Sequence, residues 1–82
     1  TYARLADVEV GERVALRQVG DDNDSERLRY LKSIGLVPQV EVTIIDRQPF
    51  GGPITLRVGR GETRDRVIGT GLAETLLVEP VP

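Results

Sequence analysis

The sequence predicts a mainly β domain, a small barrel of about five short antiparallel strands with one short helix near residues 25–34. Three observations predict this class: apolar residues alternate in short segments, turn residues recur at short intervals, and one segment alone has helical periodicity. Curling a sheet of short strands removes long open edges, which favours a closed or nearly closed barrel. With 82 residues, the chain is expected to form a single domain over residues 1–82.

The predicted helix has a marked start and a marked end. Asn23 or Asp24 can accept hydrogen bonds from the free amides of the first turn, and Glu26 stands where a capping box places an acid if Asn23 is the cap. Gly35 can adopt the left-handed conformation that closes a helix, and Pro38 forbids continuation. Apolar residues recur at helical spacing at Leu28, Leu31 and Ile34.

The remaining segments are predicted to be strands because apolar and polar residues alternate in them. The predicted strands are residues 13–19, 40–44, 54–58, 63–68 and 76–78. Residues 48–53, Gln-Pro-Phe-Gly-Gly-Pro, are typical of the turn of an antiparallel hairpin. The charge-rich segment 63–68 suits an edge strand, and residues 70–74 can form a single helical turn.

Composition excludes the commonest kinds of enzyme. The chain contains no histidine and no cysteine. Histidine is the usual proton shuttle and cysteine the strongest nucleophile, so the hydrolase dyads and triads that depend on them are absent. We therefore expect no enzymatic activity.

Charge and aromatic content argue against two further classes of partner. The 11 basic side chains are balanced by 13 acidic ones, and aromatic residues make up only 4% of the chain. Counterion release and base stacking are both weak under these conditions, so we expect no direct nucleic-acid contact by this domain. No segment is long and apolar enough to span a bilayer, and the lack of cysteine suits a reducing compartment. The expected location is cytoplasmic, without membrane contact.

The strongest candidate for a functional site is the acidic run before the helix, formed by Asp21, Asp22, Asn23 and Asp24. One interpretation is purely structural, since acids cap a helix and favour its positive end. The other is that one or two of these carboxylates bind a hard divalent cation, for which oxygen ligands suit manganese or, less selectively, ferrous iron. Such a run alone would bind weakly, so its metal site would be completed by ligands from elsewhere.

A set of motifs with a fixed order and spacing extends over nearly the whole chain. The motifs are Leu5 with Val10-Gly11-Glu12, Leu28-Arg29-Tyr30-Leu31, Gly35-Leu36-Val37-Pro38, Pro49-Phe50-Gly51-Gly52-Pro53-Ile54, Gly69 with Leu72-Ala73, and Leu77-Val78. Together they resemble the FeoA-type, SH3-like domain. This domain occurs at the C-terminus of metal-dependent repressors of the diphtheria toxin repressor family, and also as the stand-alone FeoA protein of ferrous iron uptake.

The resemblance favours the repressor branch. It implies that the chain is the C-terminal part of a longer, homodimeric regulator whose other domains read DNA, dimerise and hold the main metal site. It also implies that one acid of the run reaches an ancillary metal site, with Asp22 matching first, Asp24 second and Asp21 third. Family members often carry glycine after the proline, where this chain has Gln39.

Two alternatives stay open. The chain could be a free-standing accessory protein that docks on the membrane GTPase permease of ferrous iron transport, or a protein-interaction barrel with no metal role. Phe50, between Pro49 and Gly51, is either an exposed contact on a turn or packs onto the barrel.

Overall fold

A computed structural model describes residues 2–19, 25–59 and 63–81. Its strands are β1 Ala3–Arg4, β2 Arg13–Val19, β3 Glu41–Arg47, β4 Ile54–Val58, β5 Arg64–Ile68 and β6 Leu76–Pro80. Its helices are α1 Ser25–Ser33, α2 Thr70–Ala73 and a 3-10 turn at Leu5–Asp7. The strands form one antiparallel sheet in the order β1-β6-β2-β3-β4-β5, which confirms the mainly β class.

The sheet curls around a core made of aliphatic side chains. The molecule measures 31 × 30 × 26 Å. Its three extents are nearly equal, whereas a flat open sheet would be much thinner in one direction. In β3 and β4, buried residues alternate with more exposed ones, as predicted from the apolar pattern. The core includes Val14, Leu16, Leu31, Leu36, Val42, Ile44, Ile54, Leu56, Ile68, Leu76 and Val78. All three aromatic side chains, Tyr2, Tyr30 and Phe50, lie at the surface.

The predicted helix end is confirmed in detail. Gly35 has a φ of 86°, and its N–H donates to the carbonyl of Lys32 at 3.1 Å. The N–H of Leu36 donates to the carbonyl of Leu31 at 2.8 Å, and both leucine side chains are buried. This pair of bonds is a Schellman motif, which satisfies the last carbonyls of the helix. Among the described helices, none is long and apolar enough to cross a membrane.

Gly35 offers a first test of this helix end. We expect Gly35→Ala to lower the free energy of unfolding by about 1 kcal/mol, because alanine is strained at positive φ. The added Cβ would meet Cγ1 of Val58 at 3.5 Å, an ordinary contact, so the cost comes from the backbone. Gly71, inside α2 with open space around it, is the matched control. Urea unfolding should show Gly71→Ala to be neutral or slightly stabilising, and an equal loss in both variants would contradict this explanation.

The predicted hairpin connects β3 and β4 through a tight turn. Gly52 donates to the carbonyl of Pro49 at 3.2 Å, and the two residues between them, Phe50 and Gly51, both have positive φ, at 58° and 74°. These are the features of a type I′ turn, whose twist matches that of a hairpin. The side chain of Phe50 is fully exposed, so the alternative in which it packs onto the barrel is wrong. The hydroxyl of Thr70 bonds the carbonyl of Gly52 at 2.7 Å and ties the turn to α2.

A second tight turn joins α1 to β3. Val40 donates to the carbonyl of Val37 at 3.1 Å, with Pro38 and Gln39 between them. Gln39 has a φ of 79°. Proline followed by a residue of positive φ is the pattern of a type II turn, which favours glycine at the second of these positions. The glutamine found there is therefore held in a conformation that costs about 1 kcal/mol.

Paired substitutions at Gln39 test this strain. Gln39→Gly and Gln39→Ala both remove the bond that the Gln39 side chain accepts from Arg17, so their difference isolates the backbone term. We expect the glycine variant to be more stable than the alanine variant by about 1 kcal/mol in urea unfolding. At Gln18, an exposed position in β2, the order should reverse because glycine weakens a strand. A glycine variant at 39 that is less stable than the alanine variant would refute the strain.

The structure differs from the sequence prediction mainly at the chain ends. The described residues form six strands where about five were predicted, because Ala3 and Arg4 pair with Val78 and Leu77 of β6. The predicted edge position of β5 is confirmed, and β1 forms the other edge. Strand β3, predicted as residues 40–44, begins at Glu41 and continues to Arg47, past an irregularity in its pairing with β4 between Ile44 and Asp46. The last strand continues to Pro80.

Candidate functional site

The predicted metal ligands Asp22, Asp24 and Asp21 lie outside the described residues. The same holds for the predicted cap residues Asn23 and Asp24. What the structure establishes is the position of the elements on either side of the acidic run. The preceding strand, β2, ends at Val19, and α1 begins at Ser25.

Both flanking elements are anchored in the fold. Val19 is in register with Leu76 of β6, which is completely buried. On the other side, α1 is attached to the core through Leu31, and Glu26 is exposed in its first turn. The acidic run therefore connects the end of a central strand to the positive end of a nine-residue helix. This position is compatible with helix capping and with metal binding alike.

Several of the described acids form ion pairs and do not gather into a metal site. Within residues 2–19, 25–59 and 63–81, no group of three or more histidine, cysteine, aspartate or glutamate side chains could hold a metal ion. Asp7 pairs with Arg4, and Asp65 with Arg57, each at 3.1 Å. These pairs are about half exposed, so each adds little to stability.

An apolar groove lies between the two elements that flank the acidic run in sequence. It has a volume of about 360 Å³ and is bounded by the end of β2, by α1 and by the segment that follows α1. Its lining residues are Arg17, Gln18, Val19, Leu28, Leu31, Lys32, Leu36, Val37 and Pro38. The side chain of Arg17 is fixed at the margin by Glu79 and Gln39. The groove can accept apolar side chains of another segment or subunit.

Sequence reasoning did not identify this groove. Its residues come from three segments that only the folded chain brings together, and each apolar residue has an ordinary explanation as core. The one signal in the sequence was the apolar run Leu36-Val37-Pro38 after the helix. In the structure, Val37 of this run remains 38% exposed.

Comparison with known proteins agrees with this architecture. A family model, FeoA domain, matches residues 3–80. A manganese-dependent transcriptional repressor in complex with manganese has a TM-score of 0.88 at 21% identity, over 98% of this chain and 37% of the repressor. An iron uptake regulatory protein, FeoA, has a TM-score of 0.81 at 23% identity, over 99% of both chains. A FeoA-like protein from Clostridium acetobutylicum has a TM-score of 0.80 at 26% identity, over 100% of this chain and 91% of that protein.

These three structures differ in length. The chain spans about a third of the manganese-dependent repressor, 99% of the FeoA iron uptake regulatory protein and 91% of the FeoA-like protein. No curated protein is similar enough in sequence to count as a relative. The match of the family model over almost the whole sequence confirms the resemblance found from the motifs, and the chain belongs to the FeoA domain family.

Proposed function

We propose that this chain is the C-terminal regulatory domain of a manganese- or ferrous-iron-dependent transcriptional repressor. Residues 1–82 form one domain, and the rest of the same polypeptide supplies dimerisation and DNA binding. The complete protein is a cytoplasmic homodimer without enzymatic activity. This domain itself contacts neither DNA nor membrane.

The place of the acidic run in the sequence supports this proposal. The run links the end of β2 to the start of α1, and both of these elements are anchored in the fold. Asp22 is the preferred ligand, Asp24 the second choice and Asp21 the third. Oxygen ligands alone suit manganese or ferrous iron, and the remaining ligands come from the neighbouring domain.

The proposed mechanism is linkage between metal binding and domain docking. A metal ion that binds the docked form better than the undocked form shifts the population toward docking, by no more than the difference in affinity. The apolar groove is lined by the end of β2 and by α1, the elements that flank the acidic run in sequence, so it can bury apolar residues of the neighbouring domain in the docked form. Docking in turn favours the dimer that binds DNA.

The experiment uses the complete reading frame that encodes this chain. Operator binding is measured by fluorescence anisotropy during a manganese titration, with and without residues 1–82. We expect removal of the domain to raise the manganese concentration needed for half-maximal DNA binding. An unchanged manganese response, or a reading frame without an upstream DNA-binding domain, would contradict the proposal.

One observation favours the second candidate function, a free-standing accessory of ferrous iron transport. The chain aligns with an FeoA protein over 99% of both lengths. This alternative requires the domain to bind the GTPase portion of a ferrous iron permease in the absence of metal. A pull-down with that GTPase portion distinguishes it from the repressor.

A further inference from the structure

A basic cleft lies at the C-terminal end of α1. It has a volume of about 320 Å³ and is bounded by the end of the helix and by strands β4 and β5. Three of its lining side chains are positively charged: Lys32 from the helix, and Arg64 and Arg66 from β5. The helix end and β4 approach closely here, since a Cβ on Gly35 would lie 3.5 Å from Cγ1 of Val58. The cleft is distinct from the acidic run, which precedes the other end of the helix.

Strand periodicity explains why charges that alternate in sequence become separated in space. In Arg64-Asp65-Arg66, neighbouring side chains point to opposite faces of the sheet. Asp65 lies opposite Arg57 of β4 on the outer face, and the two form an ion pair at 3.1 Å. The two arginines lie opposite the buried residues Val58 and Leu56, on the face that carries the core. Asp65, which stands between the two arginines in sequence, therefore lies on the opposite face of the sheet and does not pair with them.

The three positive side chains have no partner within the described part of the chain. None of them takes part in an ion pair or a side-chain hydrogen bond there. Nε of Arg66 is buried and has no acceptor among residues 2–19, 25–59 and 63–81. A buried donor without an acceptor carries a full desolvation cost, so such a group calls for an explanation.

Among the described residues, no carbonyl at the end of the helix accepts from Nε of Arg66. The carbonyls of Leu31 and Lys32 already accept the N–H groups of Leu36 and Gly35, at 2.8 and 3.1 Å. Charges that point inward on an edge strand can protect it from pairing with other chains, and this explains basic residues on β5. Protection of the edge strand does not explain why Lys32, which belongs to α1, also lines the cleft. Nor does it explain the open volume between Lys32, Arg64 and Arg66.

We propose that this cleft binds an oxyanion of the phosphate class, either a free phosphate ion or the phosphoryl group of a larger molecule. Two guanidinium groups and one ammonium group suit a ligand with several charged oxygens. Arginine bonds such oxygens in pairs, and lysine acts as a point charge. The guanidinium groups of Arg64 and Arg66 donate to oxygens of the ligand through their terminal nitrogens, and the charge of the anion compensates the three cations.

The test titrates the protein with inorganic phosphate and, separately, with adenosine monophosphate, at constant ionic strength. Chemical shifts of backbone amides and of arginine Nε–H groups are followed by NMR. We expect saturable changes confined to residues 32–35, 58 and 64–68. Tighter binding of adenosine monophosphate would assign the site to a phosphoryl group on a nucleotide, and equal binding to the free ion.

Three single variants make the test specific. Arg66→Gln and Arg64→Gln should each weaken phosphate binding at least about tenfold, the usual effect of removing a charged hydrogen-bond donor. Arg29→Gln removes the same charge from an exposed position of α1 outside the cleft and should bind as the parent does. Arg66→Lys keeps the charge but not the guanidinium donors and should recover part of the affinity.

A second measurement covers the case in which a variant folds poorly. Phosphate should raise the midpoint of thermal unfolding of the parent and of Arg29→Gln, and have a smaller effect on the two cleft variants. Equal effects of phosphate on all of them, or shifts spread over every basic residue, would overturn the proposal. Binding of a glutamate-rich peptide with no response to phosphate would also overturn it, and would assign the cleft to an acidic protein segment.

Discussion

Leu31→Ala is expected to lower the free energy of unfolding by about 2–5 kcal/mol, the range measured when a large buried side chain is cut back to alanine. Leu31 is 1% exposed and is the buried residue of α1. It also supplies the carbonyl that closes the helix through Leu36. The loss is a large part of the stability of a domain of this size, about 5–15 kcal/mol at most. Urea unfolding followed by far-ultraviolet circular dichroism measures it.

The neighbouring residue gives a matched control. Tyr30 belongs to the same helix and is 49% exposed. Tyr30→Ala should change the free energy of unfolding by less than about 0.5 kcal/mol, as surface substitutions usually do. Similar losses in the two variants would mean that α1 is not anchored to the core through Leu31.

The second large effect concerns the metal response of the complete protein. In the proposed repressor, replacing Asp22 and Asp24 together by asparagine should raise the manganese concentration for half-maximal operator binding. The coupling between two linked sites is typically 1–3 kcal/mol, so a shift of about 5- to 150-fold is expected. Asparagine can still cap a helix, so the substitution removes the carboxylate charge and leaves capping in place. Asp21→Asn should have the smallest effect of the three acids.

A charge-matched control uses two acids at the opposite end of β2. Glu9 and Glu12 are exposed and precede the strand, whereas the acidic run follows it. Glu9→Gln with Glu12→Gln changes the net charge by the same amount and should leave the manganese response unchanged. If both double variants shift the response equally, the acids act through net charge and not as ligands.

Most of the fold was predictable because its signals are local. Alternating apolar residues identify β3 and β4, and the glycine and proline positions identify the helix end and the hairpin. Strand β1 was missed because a two-residue strand has no periodicity of its own. It exists through pairing with Leu77 and Val78 at the other end of the chain, a long-range contact that no local pattern reveals.

The surface features were harder to predict for a related reason. The apolar groove combines residues of α1 with the end of β2 and with the segment after the helix, and the basic cleft combines the end of α1 with β4 and β5, so neither exists in any single segment. In Arg64, Asp65 and Arg66 the charge alternates along the sequence, whereas the strand places the two arginines on one face of the sheet and the acid on the other. The acidic run was found because its residues are adjacent in sequence, and its roles as metal ligand and as helix cap are separated only by experiment.

Calorimetric titration with manganese, on the complete protein and on residues 1–82 alone, tests most directly whether this domain completes a metal site that it cannot form by itself. The complete protein should show a binding step that is weakened by Asp22→Asn with Asp24→Asn, and residues 1–82 alone should show no comparable heat. Equally tight binding to the isolated domain, or an unaltered titration of the complete protein after both substitutions, would contradict the assignment.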